Sequence, residues 1–375
     1  MEYKTLKDLG DIKGVPVLLR LDLNTPVENG VVVDDYRIRK SLPTILFLKD
    51  KGAKIVIISH IEGGTDTLEP VHKRLGKDVP LIFCKDCLEE GSAVITNMNA
   101  GDVMLCENIR LYDGEKKNDP EFAKKLASLA SIYVNDGFSV SHRKHASIVG
   151  VPKFLPGYLG LQFEEEIKNL SKCFNPPHPF LFILGGAKFD TKLPLVQKFL
   201  PIAENIFIGG ALANDFFKAK GFEVGKSLLS EVPIDLSGYI SDPKISLPTD
   251  VVVSGQSGNT EKETGEIKQD ESIFDAGSKT VATLKGLISS AKCVLWNGPL
   301  GLYEKGYKQP TLEIAEALAE SSAMTVVGGG DTLAAIQELN IENKLGFVST
   351  GGGAMLDFLA NGTLPGLEAL KSKQK

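Results

Sequence analysis

The segment VPVLLRLDLN, residues 15–24, is an apolar run that ends in polar residues. Val- and Ile-rich runs of this kind, separated by amphipathic segments, are typical of parallel β-strands linked by crossover helices. The sequence therefore predicts an α/β fold. Similar runs are AKIVIISH (53–60), DVMLCEN (102–108) and SIYVNDGF (131–138) in the first half, and FLFILGG (180–186), NIFIGG (205–210), CVLWNGP (293–299), TVVGGGD (325–331) and LGFVSTGGG (345–353) in the second.

A chain of 375 residues is too long for one ordinary hydrophobic core, so we expect two domains. The segment LQFEEEIKNLSKCFNPPHP (161–179) lies between the two groups of strands. Phe163, Ile167, Leu170 and Phe174 recur in it at helical spacing, and the prolines that follow end the helix. This pattern predicts a connecting helix at a domain boundary.

The composition, with 42% hydrophobic and 24% charged residues, is that of a globular protein. A net charge of −6 gives no general reason to bind nucleic acid or an anionic membrane. The N-terminus lacks the apolar core of a signal peptide, and the most apolar stretch, 180–187, is too short to span a bilayer. Five cysteines, with a single C-x-x-C at Cys84 and Cys87, favour a reduced, cytoplasmic protein over a disulfide or zinc framework.

Ligands of parallel sheets bind at the carboxyl ends of the strands. The residues that follow the strands differ between the two halves of the chain. In the first half, several bases follow the strands and point to a small, highly anionic substrate. We expect a buried ion pair between Arg20 and Asp22, while Asp22 and Asn24 could also accept hydrogen bonds from a substrate hydroxyl. The charged and polar residues in question are Asp22, Asn24, Arg37, Arg39, His60, Arg110, His142, Arg143 and His145.

In the second half, glycines follow the strands, and repeated glycine turns let a ligand approach the backbone closely. No G-x-G-x-x-G follows a strand, which argues against a dinucleotide-dependent dehydrogenase. GFEVGKS (221–227) is one residue too short for a Walker A loop, and we interpret it as a tight turn. Lys188 lies in a glycine turn, where a functional role is favoured, whereas Lys192 could equally belong to a solvated helix face.

The loop VVGGGDTLAAI (326–336) presents backbone N–H groups at a predicted helix N-terminus and so favours anions, yet it carries Asp331. Asp331 has two interpretations that do not exclude each other. It could cap the helix, or it could bind Mg²⁺ that also contacts phosphate oxygens.

Ordered motifs from about Val15 to the C-terminus closely resemble phosphoglycerate kinase. In the first half they are RLDLNTP, YRIRK, CENIRL and NDGFSVSHRKHAS; in the second, ILGGAKFDTK, FDAGSKT, LWNGPLGLYE, VVGGGDTLAAI and VSTGGGA. The resemblance implies an α/β protein of two Rossmann-like parallel-sheet (three-layer αβα) domains joined by a connecting helix with a hinge. The implied ranges are 1–156 for the glycerate-binding domain, 157–175 for the helix, 176–355 for the nucleotide domain and 356–375 for a tail that packs back on the first domain.

The implied reaction is reversible phosphoryl transfer between 1,3-bisphosphoglycerate and Mg-ADP, giving 3-phosphoglycerate and Mg-ATP, by a cytoplasmic monomer. The resemblance implies that Arg37, Lys188 and Lys192 act in catalysis and that Asp331 takes the metal. The implied substrate residues are Asp22, Asn24, Arg37, His60, Arg110 and Arg143. The implied nucleotide residues are Lys188, Lys192, Gly209, Gly210, Gly277, Asn297, Pro299, Glu304, Gly329, Gly330, Asp331 and Thr332.

One departure concerns the substrate site. Where the family usually has S-H-L-G-R-P, with an arginine that contacts substrate phosphate, this chain has SHIEGGTD, with Gly63 at the arginine position. Losing one charged contact should weaken substrate binding by about 1.5–3 kcal/mol unless something compensates. Smaller departures are Ser278 and Ala211. We therefore expect an active kinase with poorer substrate affinity; the alternatives are a nucleotide-binding paralogue with weakened turnover and, from a different class, a dehydrogenase.

Overall fold

The computed structural model describes residues 3–187, 192–231, 234–256 and 258–371. The chain forms two compact units. The first comprises the chain up to Lys168 together with the segment from Asn361 onward, and the second runs from Asn169 to Ala360.

A six-stranded, wholly parallel sheet with the order β5-β6-β4-β1-β7-β8 forms the centre of the first unit. Its helices are α1 (Tyr36–Asp50), α2 (Glu69–Leu75), α3 (Gly91–Asn97), α4 (Asp113–Lys116), α5 (Pro120–Ala127) and α6 (Leu161–Ser171). Its strands are β1 (Pro16–Arg20), β4 (Lys54–Ile58), β5 (Ile82–Cys84), β6 (Val103–Cys106), β7 (Ile132–Asn135) and β8 (Gly157–Leu159), with a separate hairpin of β2 (Val27–Glu28) and β3 (Val31–Val32).

The central strand β1 is buried on both faces, which explains its continuous apolar sequence. Val17, Leu18 and Leu19 are fully buried, and Val17 lies between Ile55 of β4 and Ile132 of β7. The chain leaves β1 toward β4, β6 and β5 on one side and later returns to β7 and β8 on the other. Such a reversal of strand order opens a crevice at the carboxyl end of the central strands.

The second unit contains another six-stranded parallel sheet, with the order β11-β10-β9-β15-β16-β17. Its helices are α7 (Leu193–Phe199), α8 (Leu212–Ala219), α9 (Ser278–Ser290), α10 (Gln309–Glu320), α11 (Gly330–Leu339) and α12 (Gly353–Asn361). Its strands are β9 (Phe180–Leu184), β10 (Asn205–Ile208), β11 (Ile245–Ser246), β15 (Cys293–Asn297), β16 (Met324–Gly328) and β17 (Phe347–Val348).

A smaller antiparallel sheet, of β12 (Asp250–Gly255), β13 (Gly258–Glu263) and β14 (Ser272–Ala276), also belongs to the second unit. Val251 and Val253 of β12 pack with Phe217 of α8 and with Ile267 in a separate apolar cluster. This cluster packs the small sheet against α8, the helix that follows β10 of the parallel sheet.

The predicted connecting helix is confirmed as α6, which is followed by a 3₁₀ turn at Lys172–Phe174 and then by the prolines. The division between the two units falls within α6. In the first unit, the Phe163 N–H donates to Asp136 Oδ1 at 3.0 Å, so a carboxylate at the end of β7 meets the first turn of this helix.

The last helix, α13 (Pro365–Glu368), belongs to the first unit. The Gly366 N–H donates to the Ser141 carbonyl at 2.8 Å, and Lys371 forms an isolated antiparallel bridge with Tyr3. Leu367 and Leu370 are buried there. The end of the described chain is therefore part of the first unit's core.

All nine apolar runs that predict strands contain one, so the two parallel sheets are confirmed. The segment 221–227 contains turns and no helix or strand, as expected for a tight turn. Within the described ranges, no helix combines the length and the apolar character that crossing a bilayer requires.

Candidate active site

The substrate residues predicted in the first unit follow the three central strands, at the crevice described above. Asp22 follows β1, His60 follows β4, and Arg110 follows β6 within a short 3₁₀ turn. Asp22 is joined to Arg37 of the first turn of α1: Arg37 Nη1 donates to Asp22 Oδ2 at 2.6 Å and to the Asn24 carbonyl at 3.1 Å. The structure thus brings Asp22, Asn24 and Arg37 together.

Asp22 is held in its charged form. Burial opposes ionisation, but the positive charge of Arg37 and the hydroxyl of Ser139 outweigh it and hold the pKa of Asp22 at about 2. Arg37 remains partly exposed, with 33% of its side chain accessible. Nη1 holds the guanidinium against Asp22, and a guanidinium has five N–H donors in all.

The expected ion pair between Arg20 and Asp22 is wrong. The Arg20 guanidinium is buried and donates to Ser147 Oγ at 3.0 Å, to the Leu21 carbonyl and to His60 Nδ1 at 3.1 Å. Ser147 in turn donates to Glu115 at 2.6 Å. The fold brings Ser147 and His60 to Arg20 from distant parts of the sequence, and Asp22 pairs with Arg37.

His60 is a neutral donor in this crevice. Burial, and then the positive charge of Arg20, lower its pKa well below the usual value. Because a guanidinium can only donate, His60 Nδ1 must accept from Arg20 and the ring proton lies on Nε2. His60 can therefore offer an N–H to an oxygen of a substrate.

Arg110 is a buried cation with unused donors. Only 3% of its side chain is exposed, and its charge is met by an ion pair from Nη1 to Glu62 Oε2. Within the described residues, none of its three guanidinium nitrogens has a hydrogen bond of acceptable geometry. Burial lowers the pKa of Arg110, with Glu62 opposing. A buried guanidinium whose donors lack hydrogen-bond acceptors is suited to binding an oxyanion.

Other bases surround the same crevice. Arg143 is exposed and contacts His142, with Arg143 Nε 3.4 Å from His142 Nε2. Burial, then Arg110 and Arg143, lower the pKa of His145 to about 4. Arg39, by contrast, is directed to Asp35 at 2.8 Å and does not join the cluster. Gly63, at φ +84°, has open space where a side chain would begin.

The second unit places its glycine turns side by side because β9, β15 and β16 are neighbours. The Gly185 N–H donates to the Asn297 carbonyl and the Gly186 N–H to the Pro299 carbonyl, both at 2.9 Å. A Cβ on Gly185 would overlap the carbonyls of Gly298 and Pro299. These turns leave a cavity of about 470 Å³ that is lined by residues including Gly210, Pro299, Glu304 and Asp331.

Lys192 is buried within these turns. Its Nζ donates to the Gly185 carbonyl, and a Cβ on Gly186 or Gly298 would come within 2.8 and 3.0 Å of that nitrogen. Burial lowers the pKa of Lys192 to about 8, with Asp331 opposing the shift. Lys192 therefore does not lie on a solvated helix face, because its ammonium group is buried beneath the cavity. Lys188 lies outside the described residues.

The N-cap interpretation of Asp331 is wrong. The N-cap of α11 is Gly329, at φ +110°, and no side chain caps the helix. Asp331 lies in the first turn with an exposed side chain. Burial, then the nearby Glu304 carboxylate, raise its pKa, while Lys192 lowers it. A cation bound at the cavity would offset the repulsion between these two neighbouring carboxylates.

The remaining predicted nucleotide residues lie at or beneath the same turns, with one exception. Thr332 Oγ1 accepts from the Gly298 N–H at 3.1 Å, and buried Asn297 packs with Met355 beneath Gly329. Gly209 packs against Leu300, and Gly330 begins α11. Gly277 lies against Asp250 instead, and the cavity is lined by residues 272–276 just before it.

Five polar residues outside the predicted site also line this cavity: Asn214, Lys226, Ser272, Asp275 and Lys305. Lys226 belongs to GFEVGKS and Asp275 to FDAGSKT, but no spacing rule in either motif marks these positions as ligand-binding. Asn214 Nδ2 donates to the Leu228 carbonyl at 2.9 Å, and its Oδ1 has no partner among the described residues. Burial raises the pKa of Asp275 to about 7.

No cluster of three or more metal-binding side chains occurs within the part of the chain that the structure describes. The described cysteines, including Cys84 and Cys87, are buried free thiols.

The phosphoglycerate kinase family model matches residues 6–362. The chain belongs to the phosphoglycerate kinase family. It is 43% identical to the phosphoglycerate kinase of Dictyoglomus turgidum and 40% identical to that of Pelotomaculum thermopropionicum, over the full length of each chain. Among solved structures, the phosphoglycerate kinase of Coxiella burnetii has a TM-score of 0.84 at 34% identity, and that of Pyrococcus horikoshii 0.86 at 30%. Both alignments cover 98% of each chain. Members of this family are phosphotransferases of glycolysis, which sets the reaction class of this enzyme.

Proposed function

We propose that this enzyme transfers a phosphoryl group reversibly between 1,3-bisphosphoglycerate and Mg-ADP, giving 3-phosphoglycerate and Mg-ATP. The proposal rests on two candidate ligand sites, one in each unit, that suit different ligands. The first unit presents His60 and Arg110 after two of its strands and Arg37 in the first turn of α1, which suits a small polyanion. The second unit encloses Lys192 beneath glycine turns, which suits nucleotide phosphates.

The chemistry needs no base-activated nucleophile. The attacking ADP oxygen is ionised at neutral pH, and an acyl phosphate releases a carboxylate that needs no proton. The residues therefore align the reactants and stabilise charge on the transferred group. We assign this role to Arg37, which Asp22 orients, and to Lys192, together with Lys188 by resemblance.

When bound, Mg²⁺ would supply positive charge that offsets the negative charge of the nucleotide phosphates. Asp331 would hold the Mg²⁺, because its carboxylate is exposed at the cavity and interacts electrostatically with both Lys192 and Glu304. Glu304, on the wall of the same cavity, would take the ribose hydroxyls.

Transfer requires the two substrates to meet, although their predicted sites belong to different units. We propose closure about a hinge at the connecting helix, with domain ranges 1–156, 157–175, 176–355 and 356–375. Small-angle scattering should show a smaller radius of gyration with 3-phosphoglycerate and Mg-ADP together than with either alone. An unchanged radius would contradict closure.

A coupled assay of 3-phosphoglycerate with Mg-ATP tests the reaction directly, with calorimetry for each ligand. Turnover that depends on both substrates is the expected result. Binding of both ligands without turnover would select a weakened paralogue, and binding of NADH without Mg-ADP would select a dehydrogenase.

We also propose that the enzyme acts as a cytoplasmic monomer on small molecules only, without nucleic acid or membrane partners. The negative net charge and the family resemblance support this. Light scattering coupled to gel filtration should give a mass near 40.4 kDa; twice that mass would contradict a monomer.

A further inference from the structure

The loop after β4 differs from the family pattern at two charged positions. S-H-L-G-R-P becomes Ser59-His60-Ile61-Glu62-Gly63-Gly64, so a glutamate replaces a glycine and a glycine replaces the arginine. Both changes make the substrate crevice more negative. Nothing in the reaction itself calls for an added carboxylate there.

The structure shows where the added carboxylate goes. Glu62 Oε2 is ion-paired with Arg110 Nη1, and Glu62 Oε1 lies 3.0 Å from Lys116 Nζ. The Glu62 N–H donates to Asn24 Oδ1 at 2.9 Å, which fixes the backbone at this point. Glu62 is 45% exposed whereas Arg110 is 3% exposed, so Glu62 lies on the solvent side of the guanidinium.

Glu62 satisfies Arg110 only in part. The pair provides charge compensation, yet Nε and Nη2 of Arg110 have no acceptor within the described residues. A substrate oxyanion could approach with well-aligned, charge-assisted hydrogen bonds that Glu62 does not make. To reach Arg110, however, it would have to replace Glu62.

We propose that Glu62 is an affinity-setting residue, whose carboxylate occupies Arg110 until an oxyanion of the substrate displaces it. The inference rests on the proposed function, because it takes the crevice of the first unit as the glycerate site. In this chain, competition from Glu62 adds to the loss of the arginine at position 63. Together, the two changes lower the affinity of the site for its substrate.

The backbone of the turn that follows Glu62 suits glycine at two successive positions. Gly63 and Gly64 both adopt positive φ, +84° and +74°, and a Cβ on Gly64 would overlap the Val27 carbonyl. Side chains are disfavoured in such conformations. The two glycines therefore shape the turn that directs Glu62 to Arg110.

Calorimetry with 3-phosphoglycerate tests the proposal on Glu62→Gln, which keeps the shape and removes the charge. We expect affinity to rise about 3- to 10-fold, as for a partly exposed ion pair that no longer has to be broken. The KM for 3-phosphoglycerate should fall in parallel, while Mg-ADP affinity stays unchanged. Unchanged or weaker binding would overturn the proposal, because a Glu62 that merely positions Arg110 predicts weaker binding.

Glu69→Gln is the matched control, since Glu69 forms an exposed i,i+4 pair with Lys73 in the same unit. It should bind 3-phosphoglycerate like the wild type. If Glu62→Gln does not fold, as judged by circular dichroism and thermal unfolding, Glu62→Ala takes its place with the same expected direction. Failure of the wild type to bind 3-phosphoglycerate would refute the proposed function, whereas normal wild-type turnover with no gain in the variant would refute only the competition.

Discussion

At the scale of single residues, the sequence identifies which groups belong to the site better than it identifies their partners. Asp22, His60 and Arg110 were selected because they follow strands, and the structure places all three at one crevice. The Arg20–Asp22 pair was wrong because proximity in sequence favoured it, whereas Ser147 and His60 reach Arg20 only through the fold. Of the two interpretations of Asp331, the N-cap is wrong, because Gly329 takes the N-cap position at positive φ and Asp331 lies inside the first turn of α11.

Arg37→Ala should reduce turnover by about 100-fold or more, because the variant loses a guanidinium that stabilises charge on the transferred group. Mg-ADP affinity should stay nearly unchanged, since Arg37 belongs to the other unit. Steady-state kinetics and calorimetry measure the two effects. Arg39→Ala is the matched control: Arg39 lies on the same helix but pairs with Asp35, so its turnover should be near normal. Near-normal turnover of Arg37→Ala would refute the assigned role.

Asp331→Asn should weaken binding of Mg-ADP by about tenfold or more, because an amide is a poorer ligand for a hard cation than a carboxylate. The fold should remain intact, since Asp331 caps no helix and is exposed. Titrations of ADP at several Mg²⁺ concentrations provide the measurement. If the Mg²⁺ dependence matches that of the wild type, Asp331 does not hold the metal.

At the scale of elements, the continuous apolar runs predict nine strands of the two parallel sheets, but not β5, β8 or β11 of those sheets and none of the antiparallel strands. β13 reads GNTEKE and is exposed, so only its pairing with β12 makes it a strand. β5 and β8 have three residues each, too few for a periodic signal. The glycine turns were visible in the sequence, whereas their mutual packing around Lys192 depends on the strand order, which local patterns do not encode.

Gly298→Ala should destabilise the second unit by about 2 kcal/mol or more, because Gly298 has φ +92° and a Cβ would overlap the Gly185 carbonyl. Nucleotide affinity should fall as well, since the same Cβ would approach Lys192 Nζ. Denaturant unfolding followed by the fluorescence of Trp296, the single tryptophan, reports on this unit.

Gly286→Ala serves as the comparison for that variant. Gly286 is exposed in α9 with nothing within 4 Å of its added Cβ, so alanine should stabilise by about 0.5–1 kcal/mol through helix propensity. Equal effects of the two substitutions would show that the Gly298 turn is not constrained as described.

At the scale of the whole molecule, the two units carry buried carboxylates that respond to pH in opposite directions. In the first unit, Asp22 has a pKa lowered to about 2, so its stabilising contribution is present above about pH 4 and is lost as the pH falls toward 2. In the second unit, Asp275 has a pKa raised to about 7, so the folded state keeps a proton that the unfolded chain has released. Stability from this group therefore falls as the pH rises from about 4 to 7.

Asp275→Asn should remove that fall, because the amide has no charged form to bury. The thermal midpoint of the second unit, followed by Trp296 fluorescence from pH 5 to 8, should decline less in the variant than in the wild type. Above pH 7 the variant should unfold a few degrees higher. Parallel pH profiles for the two proteins would contradict the assignment of a buried, protonated Asp275.

The position of α13 has a consequence for synthesis on the ribosome. The first unit includes Gly366, bonded to Ser141, and Lys371, bridged to Tyr3, but the entire second unit is translated in between. At about 5–20 residues per second, that delay is roughly 10 to 40 s. During this interval the nascent first unit must wait with the surface that Leu367 and Leu370 later cover still exposed. The second unit is continuous in sequence, so it can complete its fold before the one that emerged first.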